Sequence, residues 1–302
     1  MKIGISITSA YQTTDVRSGA QQMIARASAA CEAGLDSLFV GDHHVVPSPY
    51  YQNTPVLGRL LAEWGEKPAG ALFLLPLWNP VLVAEQTATL ACISKGPFIL
   101  QCGLGSGRQQ FKAMGMNIKN RPSAFEQSIN TLRDLWRGES VTLDGRWKFS
   151  NARISPLPPV PIKIWIGASA EVAIERAAKL GDAWLGDPSQ TLEQAETSME
   201  IYQRALQKHA RPVPNTIAIR KDIYVAASQD EATLVRQQVA EEGYRGFNTG
   251  ALVIGDVSEV ADQFRQLGNL GYTDIIVRNL QTDPDKAISS INRLAQVRSM
   301  LG

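Results

Sequence analysis

The stretch GPFILQCGLGSGRQQFKAMG, residues 96–115, governs how the rest of the chain is read. Its apolar run, residues 98–102, has the length of a buried strand and empties into a loop carrying Gly103, Gly105 and Gly107. Glycine has no Cβ, so the backbone there reaches φ > 0 and can lie flat against a ligand. One such glycine serves a tight turn equally well. Three at alternate positions after an apolar strand point to a loop lining a planar or anionic ligand, since ligands of α/β proteins gather at the carboxyl ends of strands. Ser106 and Arg108 add a hydroxyl and a fixed cation to the same loop.

Working outward, Asn79-Pro80 starts a helix with proline at its first position, and Ala84, Thr87, Leu90 and Ala91 share one face. Before it come an apolar strand at 70–75, a short strand at 37–40 that stops at Gly41-Asp42-His43-His44, and a first strand and Ala-rich helix at 2–7 and 16–34. After it, Phe125, Ile129, Leu132 and Trp136 mark a helix at 123–137, and Ser123 ahead of Glu126 predicts a capping box. Residues 138–161 depart from the rhythm, with a hairpin about Asp144-Gly145 and a proline-rich connector. Strands at 162–166, 182–185, 217–226 and 273–277 then alternate with helices to the end, and a Gly-rich stretch precedes the helix at 257–271.

Eight strands, most followed by a helix, predict a (β/α)8 TIM barrel, an architecture of about 250 residues that leaves roughly 50 for insertions. The expectation is one domain over 1–302 with an insertion at about 138–161. A doubly wound open sheet would carry a glycine fingerprint after its first strand, and Thr8-Ser9-Ala10 is not one.

Thirty basic against 29 acidic residues give a formal charge of +1, and no dense Lys/Arg tract is present, so no nucleic-acid or anionic-membrane partner is expected. The apolar stretches are too short to span a membrane, and Met1-Lys2 leads straight into a strand, which predicts a cytoplasmic protein. Cys31, Cys92 and Cys102 lack CxxC spacing and read as reduced packing residues.

In a barrel of this kind the chemistry belongs at the strand ends. His43 there could act as general acid, base, donor or metal ligand, with Asp42 to orient it, and His44 should point the opposite way. No second histidine cluster completes a metal site, so a metallohydrolase is the weaker reading. Gly167, Ala168 and Ser169 end a strand and open a helix, offering N–H groups to a phosphate, although Ser169 serves equally as an ordinary N-cap. Together these features describe a barrel for a phosphorylated, planar ligand.

The run at 34–40 into Asp42-His43-His44, Asn79-Pro80 with the segment 85–90, the loop 103–107 with Phe111 and Met114-Gly115, Leu135-Trp136-Arg137-Gly138, and the block from Trp165-Ile166-Gly167 to Gly181-Asp182-Ala183-Trp184 occur in the order of one family. Over most of its first 190 residues the chain resembles the bacterial luciferase-like flavin-dependent oxidoreductases. The resemblance implies a TIM barrel with an insertion, usually dimeric, that binds reduced FMN or the deazaflavin coenzyme F420. It implies His43, beside Asp42, as proton donor or hydrogen-bond partner at the ring. It further implies Gly70-Ala71 as a cis peptide behind the ring, Ser106 and Gly107 along the ring or ribityl chain, and Gly167, Ala168 and Ser169 about the phosphate; Arg108, from the loop itself, is a further candidate for a cofactor edge or phosphate. Arg108 stands where related deazaflavin dehydrogenases often place Glu, which argues against a sugar-phosphate dehydrogenase. The expectation is a monooxygenase using O2 and reduced FMN from a separate reductase on a small organic substrate. The alternative is F420-dependent hydride transfer, and a non-catalytic flavin-binding barrel is a third possibility. The loops 47–58 and 242–255 should wall the substrate, with Tyr50, Tyr51 and Phe247 as contacts.

Overall fold

The computed structural model describes residues 1–13 and 15–302. In chain order the strands are β1 (Lys2–Ile7), β2 (Ser37–Val40), β3 (Ala69–Leu74), β4 (Phe98–Gly103), β5 (Val141–Asp144), β6 (Lys148–Ala152), β7 (Lys163–Gly167), β8 (Ala183–Gly186), β9 (Ile217–Val225), β10 (Val253–Gly255) and β11 (Asp274–Asn279). Eight of them pair in parallel around a ring, β1-β2-β3-β4-β7-β8-β9-β11, and β11 closes back onto β1. This is the expected (β/α)8 barrel. Its strands are near-continuous apolar runs because both faces are covered, one by the barrel interior and one by helices.

The helices are α1 (Val16–Glu32), α2 (Asn53–Trp64), α3 (Pro80–Ile93), α4 (Arg108–Ala113), α5 (Arg121–Trp136), α6 (Glu171–Leu180), α7 (Leu192–Lys208), α8 (Gln229–Glu242), α9 (Val257–Asn269) and α10 (Pro284–Leu301). Asp15 caps α1, and capping boxes open α7 (Thr191 with Gln194) and α9 (Asp256 with Glu259). Between helices and strands lies the larger core, which includes Met23, Leu57, Phe125, Leu132 and Phe264. Inside the barrel a separate plug of Phe39, Ile99, Trp165, Leu185 and Ile276 fills the floor, with the Phe39 and Trp165 rings 5.4 Å apart. Any ligand is therefore confined to the space above that plug.

Gly70 belongs to the plug. It pairs in register with Phe39 and Ile99, and a Cβ there would stand 2.0 Å from the Ile99 carbonyl oxygen. The expectation of a cis peptide at Gly70-Ala71 is corrected here: among the described residues the cis bond is Ser155–Pro156. Gly70 and Ala71 lie in the buried first half of β3, so the glycine answers to interior packing and close strand approach.

Two further corrections concern boundaries. The α5 helix starts at Arg121, because Pro122 fits its first turn, so Ser123 forms no capping box and donates its hydroxyl to the Asn120 carbonyl at 3.0 Å. Glu126 instead pairs with Arg176 at 2.7 Å. The Gly-rich stretch before α9 contains β10, which extends β9 outside the ring and at three residues is too short to show periodicity. The insertion carries the expected hairpin, β5 against β6. Among the described residues no helix is long and apolar enough to cross a membrane.

Candidate active site

The mouth of the barrel is built by loops that lock onto one another. The segment after β1 and the segment after β2 meet in an antiparallel bridge, Ala10 to Tyr50, with Tyr11 N donating to Pro49 O at 3.2 Å and Tyr51 N to Ser9 O at 2.9 Å. Gly41 permits this closure, since a Cβ there would lie 2.8 Å from the Tyr50 hydroxyl.

Just beyond β2, alternation sends successive side chains opposite ways, as expected. Asp42 and His44 turn into the protein. The Asp42 carboxylate is fully buried: Oδ2 accepts from Leu74 N at 2.7 Å and Trp78 Nε1 at 2.8 Å, and Oδ1 lies 3.1 Å from His44 Nε2. It ties the end of β2 to the end of β3, so its side chain is occupied by structure. His43 faces a cavity of about 380 Å³ that also meets Ser9, Tyr50, Leu72, Arg220 and Arg278. Burial pushes the His43 pKa below its ordinary value; Asp42 opposes the shift, and His44 and Arg245 add to it. The ring is therefore neutral at pH 7. Its Nδ1 lies 3.5 Å from Nε2 of the buried Gln110. Tyr50 stays protonated, its pKa raised to about 12 by burial and by Asp42.

The glycine loop arrives beside this cavity from β4. Gly105 adopts φ +72°, and a Cβ there would meet the Phe111 ring at 3.1 Å, so the turn itself requires glycine. Ser106 is exposed and Gly107 occupies the N-cap position of α4. Arg108 is exposed and borders a different hollow with Phe111, Lys112 and Met116, away from His43. Gln110, two residues on, is the side chain of this segment that reaches His43.

Farther round the rim, Gly167 ends β7. Ala168 N donates to Leu185 O at 3.2 Å and its carbonyl accepts from Trp184 Nε1 at 2.9 Å, so this residue is engaged with β8. Ser169 is exposed but does not cap α6; Ala170 holds that position and offers no side-chain bond. The helix thus opens onto the rim with its N-terminus uncapped by any side chain.

The opposite arc, from β9 to β11, is cationic. The buried Asp222 carboxylate accepts from Arg245 Nη1 at 2.7 Å and the Tyr244 hydroxyl at 2.9 Å, and Arg220 Nε lies 3.4 Å away. Burial alone would raise the Asp222 pKa, but Arg220, Arg278 and Arg245 outweigh it and hold the carboxyl below its ordinary value. None of these residues stood out in the sequence. The available signal was the charged triplet Arg220-Lys221-Asp222 inside an otherwise apolar strand, which only a polar interior can accommodate.

The sequence model of the luciferase-like monooxygenase family matches residues 1–243. An F420-dependent glucose-6-phosphate dehydrogenase of Beutenbergia cavernae is 30% identical over 189 residues, covering 58% of this chain and 55% of that protein. Its counterpart from Kribbella flavida is 26% identical over 199 residues, covering 63% and 60%. The chain thus spans little more than half the length of the curated relatives it matches. Among solved structures, monooxygenase RslO1 from Streptomyces bottropensis superposes with a TM-score of 0.82 at 18% identity over 98% of both chains. An F420-dependent secondary alcohol dehydrogenase, in complex with an F420–acetone adduct, gives 0.82 at 15% identity over 100% of this chain and 99% of that one. Such identities speak for the fold. The family model, which covers most of the length, goes further: this chain belongs to the luciferase-like monooxygenase family.

Proposed function

We propose that the protein is an oxidoreductase that works with a flavin-type cofactor on a small organic substrate at the barrel mouth. The observation that carries this is His43 on one wall of a cavity at the strand ends, met at Nδ1 by Gln110 from the segment that follows the glycine loop of β4. The residues fit such a cofactor. Among the described residues buried Gln101 Nε2, Gln110 Oε1 and Ser9 Oγ have no hydrogen-bond partner, and Gln101 stands on the same face of β4 as the plug residue Ile99, just above it. Polar atoms buried in this way call for a polar ligand. Ser106, Gly107 and the N-terminus of α6 behind Gly167, Ala168 and Ser169 would hold the ribityl chain and phosphate.

When bound, reduced FMN supplies oxygen activation, whereas F420 supplies hydride transfer. Neutral His43, with Nδ1 3.5 Å from Gln110 Nε2, offers the ligand a positioned, hydrogen-bonding imidazole. Asp42 acts at a distance, by fixing the loop that aims His43. It is also the carboxylate lining that cavity among the described residues, and it is fully engaged. Hydride transfer from an alcohol needs a base for the hydroxyl proton, and His43 is the group on this wall that could take it. Monooxygenation with reduced FMN is the first reading, and its requirement for O2 separates the two. F420-dependent hydride transfer is the second reading, supported by the relative that is 30% identical. Family membership supports a homodimer served by a separate flavin reductase, and the three free cysteines accord with the reducing cytoplasm.

Ser169→Glu tests the phosphate placement without disturbing the core, because Ser169 is exposed. A carboxylate beside the N-terminus of α6 should weaken FMN binding by about tenfold through like-charge repulsion. Riboflavin, which has no phosphate, should bind the variant as it binds the wild type. Equal FMN affinity in variant and wild type would refute the placement.

A further inference from the structure

A second chamber, about 710 Å³ in volume, opens off the His43 cavity; Ala10, Ser48, Arg245 and Arg278 line both. Its wall presents three guanidinium groups, Arg26, Arg245 and Arg278, against one carboxylate, Asp283. That carboxylate is already the N-cap of α10, accepting from Lys286 N at 2.9 Å. Arg245 is drawn to Asp222. Among the described residues Arg26 has no carboxylate partner, and Arg278 shares Asp222 with Arg220 and Arg245.

Arg26 is 3% exposed and projects from α1 over the Tyr11 ring, 5.5 Å from its centroid, with Nη2 donating to Gln281 O at 3.3 Å. Among the described residues its Nε has no partner, and neither have Arg278 Nε, Tyr11 Oη or Gln22 Oε1. Buried guanidinium groups are costly unless paired. Here two of them also repel, since burial and then Arg278 both lower the Arg26 pKa, with Tyr11 opposing. The chamber is roomy, cationic and supplied with unused donors, which is the chemistry of an oxyanion site.

We propose that this chamber is an anion subsite, and that the substrates of the enzyme carry a phosphate, sulfonate or carboxylate group held by Arg26 and Arg278 while the reacting part extends to His43. What happens to the bound molecule rests on the oxidoreductase assignment; the binding itself does not. The phosphate of the cofactor is another source of the same chemistry. Its proposed place behind β7, however, is three strands from β11 and four from β1 around the ring, on the far side of the mouth.

The test is calorimetric titration of the full chain with inorganic phosphate at constant ionic strength. Wild type should bind phosphate, and Arg278→Gln and Arg26→Gln should each weaken it by about tenfold to a hundredfold. Ser169→Glu should leave phosphate affinity unchanged, and Arg278→Gln should leave FMN affinity unchanged. If Arg26→Gln fails to fold by circular dichroism, Arg245→Gln on the partly exposed loop should show the same direction of loss. Phosphate affinity equal in wild type and Arg278→Gln would overturn the proposal. So would a loss confined to Ser169→Glu, which would assign the anion to the cofactor end. Failure of FMN and F420 to bind the wild type would remove the oxidoreductase assignment and leave the phosphate result standing.

Discussion

Replacing His43 by Ala is expected to lower turnover by about two to three orders of magnitude, the range for removing a positioned hydrogen-bonding group at the reacting centre. Cofactor affinity should change little, because the rim from β4 to β7 is untouched. His43 is placed for this role by three independent features. The buried Asp42 carboxylate pins its loop to Leu74 and Trp78, Gln110 meets its Nδ1, and alternation along the loop directs His44 the other way, into contact with Trp78. Since burial lowers its pKa from the ordinary 6.5, the neutral ring is the working form. The rate should therefore stay level as pH rises through the ordinary imidazole range; an imidazolium donor would instead lose activity there. Unchanged turnover in His43→Ala, measured against the wild type with the same cofactor, would remove the residue from the mechanism.

Asp222→Ala is expected to cost about 3–5 kcal/mol of stability, the scale for removing one partner of a buried ion cluster. The fully buried carboxylate faces Arg220 and Arg245 at 3.4 and 2.7 Å, and its loss leaves guanidinium groups repelling one another in a low-dielectric wall. Asp222→Asn keeps the shape and removes the charge, so it should be destabilised in the same direction. The sign of the pH effect follows from the depressed folded-state pKa. The contribution is fully present above the ordinary carboxylate pKa of about 3.9 and is lost as pH falls through the lower folded value. Wild type should therefore lose this stability on the acid side, and Asp222→Asn should lack that loss. Urea unfolding from pH 7 downward measures both, and equal midpoints for wild type and Asp222→Ala would contradict the account.

The barrel was legible because its strands are buried on both faces. Runs such as residues 37–40 and 98–102 announce themselves without any knowledge of their partners. The His43/His44 distinction was also legible, since the two-residue period of extended backbone is local. The arginine cluster was not: Arg220, Arg245 and Arg278 come from β9, from the segment after α8 and from β11, and only barrel closure brings them together. Arg108 misled for the opposite reason. It stands in the right loop, but α4 begins there, and a helical turn carries its side chain outward while delivering Gln110 inward. Gly70 misled because a glycine near a strand end and a glycine under a packed floor look alike in sequence, and only the Ile99 carbonyl, 2.0 Å from where a Cβ would stand, separates them.

Anaerobic fluorescence titration of the purified chain with FMN, reduced FMN and F420 in parallel, followed by admission of air, bears most directly on the assigned chemistry. Tight binding of reduced FMN and an oxygen-dependent absorbance change on admission of air are the predicted results. Preferential F420 binding indifferent to air would overturn monooxygenation in favour of hydride transfer, and no binding of any of the three would contradict a flavin-type oxidoreductase.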